Sequence, residues 1–173
     1  MSGERVSRKG KYYIRRGVRP HQQDPYLLRA AYKEPTVCPT CKLIYHNKRW
    51  FWNDELLKEL EEHGAHRQKC PACRKIEDRY PMGILHLSGK FLSEHKEDIL
   101  RLLTNEEKRA MEKNPLERVI KTDETEDGMI SVETTSESLV LRMGRILTRA
   151  YAGEVEYKFS DTQKLVRVEW KRE

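Results

Sequence analysis

The sequence predicts an α+β protein, in which a four-cysteine metal-binding domain is followed by a small antiparallel sheet. Three observations predict this class. Two Cys-Pro-x-Cys motifs contain all four cysteines of the 173-residue chain. Apolar and polar residues alternate near the C-terminus, as in half-buried strands, and apolar residues three and four apart elsewhere indicate amphipathic helices. The expected order is a basic, disordered tail over 1–35, a zinc-binding domain over 36–88, a helical linker over 89–114 and a ββαββ domain over 115–173.

The tail carries the whole excess of positive charge. Residues 1–35 contain nine Lys and Arg against three Asp and Glu, a net charge of +6, whereas the rest of the chain has 25 of each (34 − 9 and 28 − 3). Basic residues interleaved with tyrosines and glycines suit an extended segment that follows phosphates and stacks its rings on bases. The alternative is a solvated tail that keeps the protein soluble. The candidate RNA-binding residues of the tail are Arg8, Lys9, Lys11, Tyr12, Tyr13, Arg15, Arg16 and Arg19.

The cysteine motifs predict a structural zinc site. Cys38 and Cys41 lie on one turn, and Cys70 and Cys73 lie on another. Two such turns form a tetrahedral S4 site, which suits zinc at about 2.3 Å per bond and leaves no position for water or substrate. Four thiolates could also hold iron, a CPxC pair could do redox chemistry, and cysteines of a secreted chain could form disulfides. Two matching motifs without a βαβ pattern disfavour the redox alternative, and the polar, basic N-terminus disfavours secretion.

A β-hairpin is expected after the first cysteine pair. Apolar residues at 43–45 and 50–52 flank a polar turn at 46–48. We expect the aromatic rings of 50–52 to form the small core of the zinc domain. The alternative is an exposed stacking platform beside Lys48 and Arg49, which are therefore further RNA-binding candidates.

Two helical regions follow. Asn53 is expected to cap a helix from Asp54 to about Glu62 that ends at Gly64. His63 and His66 are expected to be exposed, because four cysteines already fill the metal shell. After a short strand over 84–87, a helix is predicted over about 90–103. A capping box at 104–107 predicts a second helix, which Asn114-Pro115 ends.

The last 60 residues predict two hairpins around one helix. Strands are expected over 116–122 and 129–133, and a capping box at 134–137 begins a helix that continues to Tyr151. Two further strands alternate, with Val155, Tyr157 and Phe159 on one face of the first and Val166, Val168 and Trp170 on one face of the second.

The predicted helix contains a row of arginines. Arg142, Arg145 and Arg149 recur at spacings of three and four, so they lie along one side and are candidates for phosphate contacts. The alternative is an ordinary solvated helix face. Gly144 costs about 1 kcal/mol relative to Ala in a helix. It therefore indicates close approach of a strand or of RNA backbone.

Three features resemble a known family: the paired CPxC motifs, the run Thr135-Ser136-Glu137-Ser138-Leu139 to Arg142-Met143-Gly144-Arg145, and Gly153-Glu154-Val155 with the final strands. The family that they resemble is that of the zinc-binding export adaptor of the large ribosomal subunit, with its archaeal relatives and a group of short bacterial zinc-ribbon proteins. The adaptors are longer and have more cysteine pairs. The resemblance implies that Cys38, Cys41, Cys70 and Cys73 are metal ligands and that the protein associates with the ribosome or its RNA.

These features predict a zinc-stabilised protein that binds structured RNA at the ribosome, with ribosomal proteins as further partners. The sequence contains no nucleophile–base pair, Gly-rich phosphate loop or open metal site, which argues against an enzyme and against a small-molecule substrate. A zinc-stabilised protein–protein adaptor and a CxxC redox enzyme are the alternatives. No apolar run approaches the length of about 18 residues that spans a membrane. Reduced cysteine pairs and the polar N-terminus predict a cytoplasmic protein.

Overall fold

The protein was analysed as a computed structural model, which describes residues 24–27 and 32–173 and the backbone of 10–12. The chain is mixed α+β, as predicted. No helix in the described ranges is long and apolar enough to cross a membrane. The elements in chain order are β1 (Gly10–Tyr12), β2 (Thr36–Val37), β3 (Ile44–His46), β4 (Arg49–Phe51), α1 (Asp54–His63), β5 (His66–Arg67), α2 (Pro71–Asp78), β6 (Gly83–Ser88), α3 (Lys90–Lys113), β7 (Val119–Glu124), β8 (Ile130–Thr134), α4 (Glu137–Tyr151), β9 (Glu154–Phe159) and β10 (Val166–Lys171).

The larger sheet has the strand order β1-β9-β10-β6-β8-β7. The predicted hairpins β7–β8 and β9–β10 are both present and antiparallel. They do not pair with each other, because β6 lies between them, parallel to β10 and antiparallel to β8. The sequence placed this strand in the zinc-binding segment 36–88 and predicted a purely antiparallel sheet. Both expectations need correction. The buried Leu85 and Leu87 of β6 belong to the core of the larger sheet, and β6 pairs in parallel with β10.

Helices α3 and α4 cover one face of this sheet. Strand β10 alternates as predicted, with Val166, Val168 and Trp170 buried. A Cβ atom at Gly144 would come within 2.9 Å of Val168 Cγ1 and 3.0 Å of the Tyr157 ring, so the close approach predicted at this glycine is that of the sheet. The core between the layers consists of Leu85, Leu87, Leu92, Ile99, Leu103, Ala110, Ile130, Val132, Leu139, Val140, Met143, Leu147, Val155, Tyr157, Val166, Val168 and Trp170.

Helix α3 is kinked at His95 and runs without a break through residues 104–107, where the sequence predicted a capping box between two helices. The prediction was wrong because neither end of the box caps a helix. The Thr104 hydroxyl donates to the Leu100 carbonyl oxygen (2.9 Å), a bond within the helix, and the Glu107 carboxylate accepts from the Val119 backbone N–H (2.7 Å). The only non-helical backbone inside α3 is at His95 (φ −124°, ψ 21°).

The cysteine-bearing unit has its own sheet, in the order β4-β3-β2-β5. Its predicted hairpin turns at Asn47 and Lys48, which both have positive φ (52° and 60°). Helix α1 begins as predicted, since the Asn53 side chain accepts from the Leu56 N–H (2.9 Å), and it ends before Gly64 (φ 86°). Helix α2 was not predicted. A second, smaller core contains Tyr32, Cys38, Leu43, Tyr45, Trp50, Cys70, Ala72 and Cys73.

Part of the segment that the sequence treated as a disordered tail belongs to the fold. Asp24 forms a buried ion pair with Lys75, the Tyr26 hydroxyl donates to Asp78 (2.8 Å), and Tyr32 lies in the smaller core. Strand β1 pairs in parallel with β9. The prediction of disorder for the rest of 1–31 lies outside the described residues.

Candidate metal centre

The first cysteine turn follows β2 directly. The Cys38 N–H donates to the Leu43 carbonyl oxygen (2.8 Å), and the Lys42 N–H donates back to the Cys38 carbonyl oxygen (3.0 Å). Lys42 itself has a left-handed backbone conformation (φ 66°), which closes the loop. This tight turn places the Cys38 and Cys41 side chains on the same side.

The second cysteine turn is the N-terminus of α2. Cys70 is the N-cap residue, Pro71 occupies the first helical position, and the Cys73 N–H donates to Cys70 Sγ (3.4 Å). The Cys70 N–H donates to Cys38 Sγ (3.3 Å), and the Cys41 and Cys70 sulfurs lie 3.7 Å apart, so hydrogen bonds link the two turns. Free N–H groups at a helix N-terminus carry partial positive charge, which stabilises thiolates.

The two turns bring the four cysteines together, as the spacing predicts. Their sulfur atoms all lie within 4.8 Å of one another, and all four cysteines are free. Cys38, Cys70 and Cys73 are buried, and Cys41 is partly buried. Four convergent sulfurs form a site that can hold a metal ion.

The four thiols differ in pKa. Hydrogen bonds from Cys41, Cys70 and Cys73 lower the pKa of Cys38, whereas hydrogen bonds to Cys38 and Cys41 raise the pKa of Cys70. A bound cation would let all four thiols ionise together, because its charge offsets their mutual repulsion. The donor set therefore fits a thiophilic metal ion.

Arg118 is a further component of the site that sequence analysis missed. Its Nη2 donates to Cys41 Sγ (3.3 Å) and its Nη1 donates to Cys73 Sγ (3.5 Å), so the guanidinium bridges one cysteine of each pair. Its Nε donates to the Pro115 carbonyl oxygen (2.8 Å), which fixes the side chain. Arg118 precedes β7, in a segment predicted only as a strand, and no pattern in the sequence connects it with cysteines 45 and 77 residues away.

The chain matches no protein-family model, no curated protein and no solved structure. The function is therefore inferred from the atoms of the site and its surroundings.

His63 and His66 are both exposed, as the sequence predicts, and the His66 Nδ1 lies 3.2 Å from the Thr36 hydroxyl oxygen.

The aromatic residues of the hairpin differ in burial. Trp50 is buried and packs against Tyr32 and Tyr45, with ring centroids 5.0 and 5.2 Å away, as expected of a core residue. Trp52 is 45% exposed, with its indole N–H donating to the Cys41 carbonyl oxygen (3.3 Å). The Arg118 guanidinium lies 5.6 Å from the centre of the Trp52 ring, so the cysteine cluster and the exposed indole share one arginine.

The predicted RNA-binding residues lie in three places. Lys48 and Arg49 are exposed on the hairpin. Arg145 and Arg149 are exposed on α4, but Arg142 is mostly covered, and its Nε and Nη2 each lie 2.8 Å from a carboxylate oxygen of Glu106. The row is therefore not a uniform solvated face. Lys11 and Tyr12 lie in β1, of which only the backbone is described. The other candidates lie outside the described residues: Arg8, Lys9, Tyr13, Arg15, Arg16 and Arg19.

Proposed function

We propose that the four cysteines hold one structural Zn²⁺. Four sulfur ligands complete a tetrahedral shell, so the ion would stabilise the fold without an open coordination position for chemistry. The residues that would hold it are Cys38, Cys41, Cys70 and Cys73, with Arg118 reducing the negative charge of a four-thiolate site. Metal analysis of the purified protein should find one zinc per chain. A visible absorption spectrum with iron in the same ratio would contradict zinc and support the iron alternative.

We further propose that the protein binds RNA and acts by binding and not by catalysis. The distribution of charge carries this proposal. Residues 1–23 contain seven Lys and Arg and one Glu, a net charge of +6, while residues 24–173 contain 27 of each sign (34 − 7 and 28 − 1). A neutral body with a concentrated basic segment suits a protein that follows a phosphate backbone through that segment.

The proposed partner is ribosomal RNA in the cytoplasm, with ribosomal proteins as further contacts. This part of the proposal comes from the resemblance of the CPxC pairs and the C-terminal segment to the ribosomal export adaptor family. A protein–protein adaptor with an incidental basic segment is the competing function. The two differ in salt dependence, because only phosphate contacts release many counterions when they form.

The test must leave the fold intact. Deleting all of 1–35 would remove Asp24, Tyr26 and Tyr32, which pack on the cysteine-bearing unit. We therefore choose the triple variant Arg15→Gln, Arg16→Gln, Arg19→Gln. Its matched control is Lys58→Gln, Lys90→Gln, Arg101→Gln, which removes the same charge from exposed positions of α1 and α3.

We expect the tail variant to weaken binding to ribosomal RNA and to reduce the slope of log affinity against log salt by about two, at roughly 0.7 per lost contact with single-stranded RNA. The control variant should bind like the wild type. Equal binding by the two variants would contradict a role for the tail. Binding to ribosomal proteins that persists at high salt, without affinity for RNA, would favour the adaptor.

A further inference from the structure

A basic cleft separates the hairpin from the C-terminal end of α3. Two adjoining hollows of about 430 and 530 Å³ share Arg49, Trp50, Lys113 and Pro115 in their walls. Each volume falls in the range of about 300 to 1,000 Å³ that is typical of sites for small organic groups. Both hollows are open to solvent, and the shared wall joins them into one groove.

The charge of the cleft is unbalanced. Lys48 and Arg49 approach from the hairpin and Lys108 and Lys113 from α3, whereas Glu112 is the one carboxylate among the described lining residues. None of the four cations is within 4.0 Å of a carboxylate in the described ranges. Many exposed lysines elsewhere are paired, as Lys42 is with Glu61 and Lys96 is with Glu124. The Glu34 carboxylate accepts from the Lys48 backbone N–H (3.0 Å) and offsets part of the charge at that end of the groove. Four cations against Glu112 and Glu34 still leave an excess of positive charge, which favours a polyanion.

Trp52 adds a flat apolar surface to the same groove. The Cys41 carbonyl oxygen and the Arg118 guanidinium hold its indole in place, so little rotamer entropy remains to be lost on binding. A base can stack on an exposed indole only where it is not already stacked and paired within a duplex. The groove therefore combines a phosphate-binding wall with one fixed stacking surface, which is the arrangement that single strands require.

The cleft lies a short distance along the chain from the basic segment. Leu27 lines the smaller hollow, and four residues of extended chain, at most about 14 Å, separate it from residue 23, where the basic segment ends.

We propose that this cleft binds an unpaired segment of RNA, with one base stacked on Trp52 and the phosphates near Lys48, Arg49, Lys108 and Lys113. The inference rests on the proposed RNA-binding function and assigns it a site on the folded part of the chain. It extends the predicted hairpin platform to α3, whose two lysines no sequence pattern connects with the hairpin.

The experiment measures the binding of the full chain to a labelled single-stranded RNA of about a dozen nucleotides, to its duplex and to single-stranded DNA of the same sequence. The variants are Trp52→Ala, Trp52→Phe and the double variant Arg49→Gln, Lys113→Gln. Met129→Ala, at an equally exposed apolar residue, and Lys58→Gln, Lys90→Gln are the matched controls. Metal content is measured for each protein.

We expect Trp52→Ala to weaken binding to single-stranded RNA by about fivefold or more, the effect of losing one stacked base, and Trp52→Phe to retain most of the affinity. The double variant should also weaken binding and reduce the salt slope by about one. The duplex should bind more weakly than the single strand, and the control variants should bind like the wild type.

The possible failures can be distinguished. If the wild type binds single-stranded RNA but Trp52→Ala and the double variant bind it equally well, the cleft is not the site, and the proposed function stands through the tail. If the wild type does not bind RNA at low salt, the proposed function fails and the cleft assignment fails with it. If Trp52→Ala loses its metal, the RNA affinity of the Arg49→Gln, Lys113→Gln variant decides whether the cleft is the binding site. Tighter binding of DNA or of the duplex overturns the assignment to unpaired RNA.

Discussion

At the scale of single residues, Arg118 joins the four-cysteine cluster to the rest of the molecule. Its guanidinium contacts Cys41 and Cys73, while its backbone N–H donates to the Thr135 hydroxyl (2.9 Å) and its carbonyl oxygen accepts from the Thr135 N–H (2.9 Å). Thr135 lies between β8 and α4, so one residue contacts both the cysteine cluster and the larger sheet. A buried cation in this position reduces the repulsion between thiolates.

Replacing Arg118 by Gln should therefore weaken metal binding. Groups that hydrogen-bond to metal ligands typically contribute about 10- to 100-fold to metal affinity. Competition with a chromophoric chelator would measure the change, and Arg101→Gln, at an exposed ion pair on α3, is the matched control. Unchanged zinc affinity in the Arg118 variant would show that the guanidinium only packs beside the cysteines.

Tyr26 provides a residue-scale prediction about pH. Burial, followed by the hydrogen bond to Asp78, raises the pKa of Tyr26 to about 12, from about 10 in an unfolded chain. Between these values the folded protein holds more protons than the unfolded chain, so the contribution of Tyr26 to stability is complete below pH 10 and falls as pH rises towards 12.

A Tyr26→Phe variant tests this assignment. Burial also raises the pKa of Tyr32 and of Tyr157, so the informative quantity is the difference between the wild-type and variant titrations of tyrosinate absorbance. This difference should have its midpoint at about pH 12. A midpoint near 10 would mean that residues 24–27 do not pack on α2 in solution.

At the scale of elements, an ion-pair network joins α3 to α4. Arg142 of α4 binds Glu106 of α3 at 2.8 Å and approaches Glu117 at 4.0 Å, and both carboxylate side chains are only 8% exposed. Arg109 approaches Glu106 from the solvent side at 3.7 Å. Buried carboxylates need such partners, because the loss of one leaves a charge without compensation.

We expect Arg142→Gln to lower the free energy of unfolding by about 2 kcal/mol, since it removes charged hydrogen bonds from a mostly buried acceptor. Arg145→Gln and Arg149→Gln, on the exposed part of the same helix, should each change it by less than about 0.5 kcal/mol. Urea denaturation of the three variants would measure the difference. Equal stability of all three would place Arg142 on a solvated face, as the sequence alternative has it.

At the scale of the whole molecule, the described residues contain two separate cores. The larger lies between the sheet and helices α3 and α4, and the smaller surrounds the cysteines. The smaller core contains few apolar side chains, so a metal ion bound by the cysteines would contribute most to stability where hydrophobic burial is least. The hydrogen bond from Lys75 to the Thr135 carbonyl oxygen (3.0 Å) and the contacts of Arg118 connect the two units.

Removing the metal with a chelator should therefore unfold the cysteine-bearing unit and leave the larger sheet folded. Hydrogen exchange measured by mass spectrometry should show lost protection over about 36–80 and retained protection in β6, β8 and β10. Uniform loss across the chain would mean that the two units unfold together. Unchanged protection over 36–80 would contradict a structural metal.

Local sequence patterns determined a large part of this structure. The CPxC spacing placed four sulfurs in one cluster, Asn53 and Gly64 marked the ends of α1, and alternation identified β9 and β10. Each of these signals depends on residues close together in the chain, where the helical and strand periods and the capping chemistry are set. RNA binding, association with the ribosome and the identity of the metal as zinc stay predictions.

The tertiary structure alone decided which distant residues meet. It placed β6 between the two hairpins, kept α3 continuous through the apparent capping box, brought Arg118 to sulfurs as far as 77 residues away, and exposed Trp52 while burying Trp50. No local periodicity or capping motif in the sequence predicts any of these outcomes. Each follows from the burial of side chains against partners that only the packed fold supplies, since pairing and desolvation depend on neighbours in space and not along the chain.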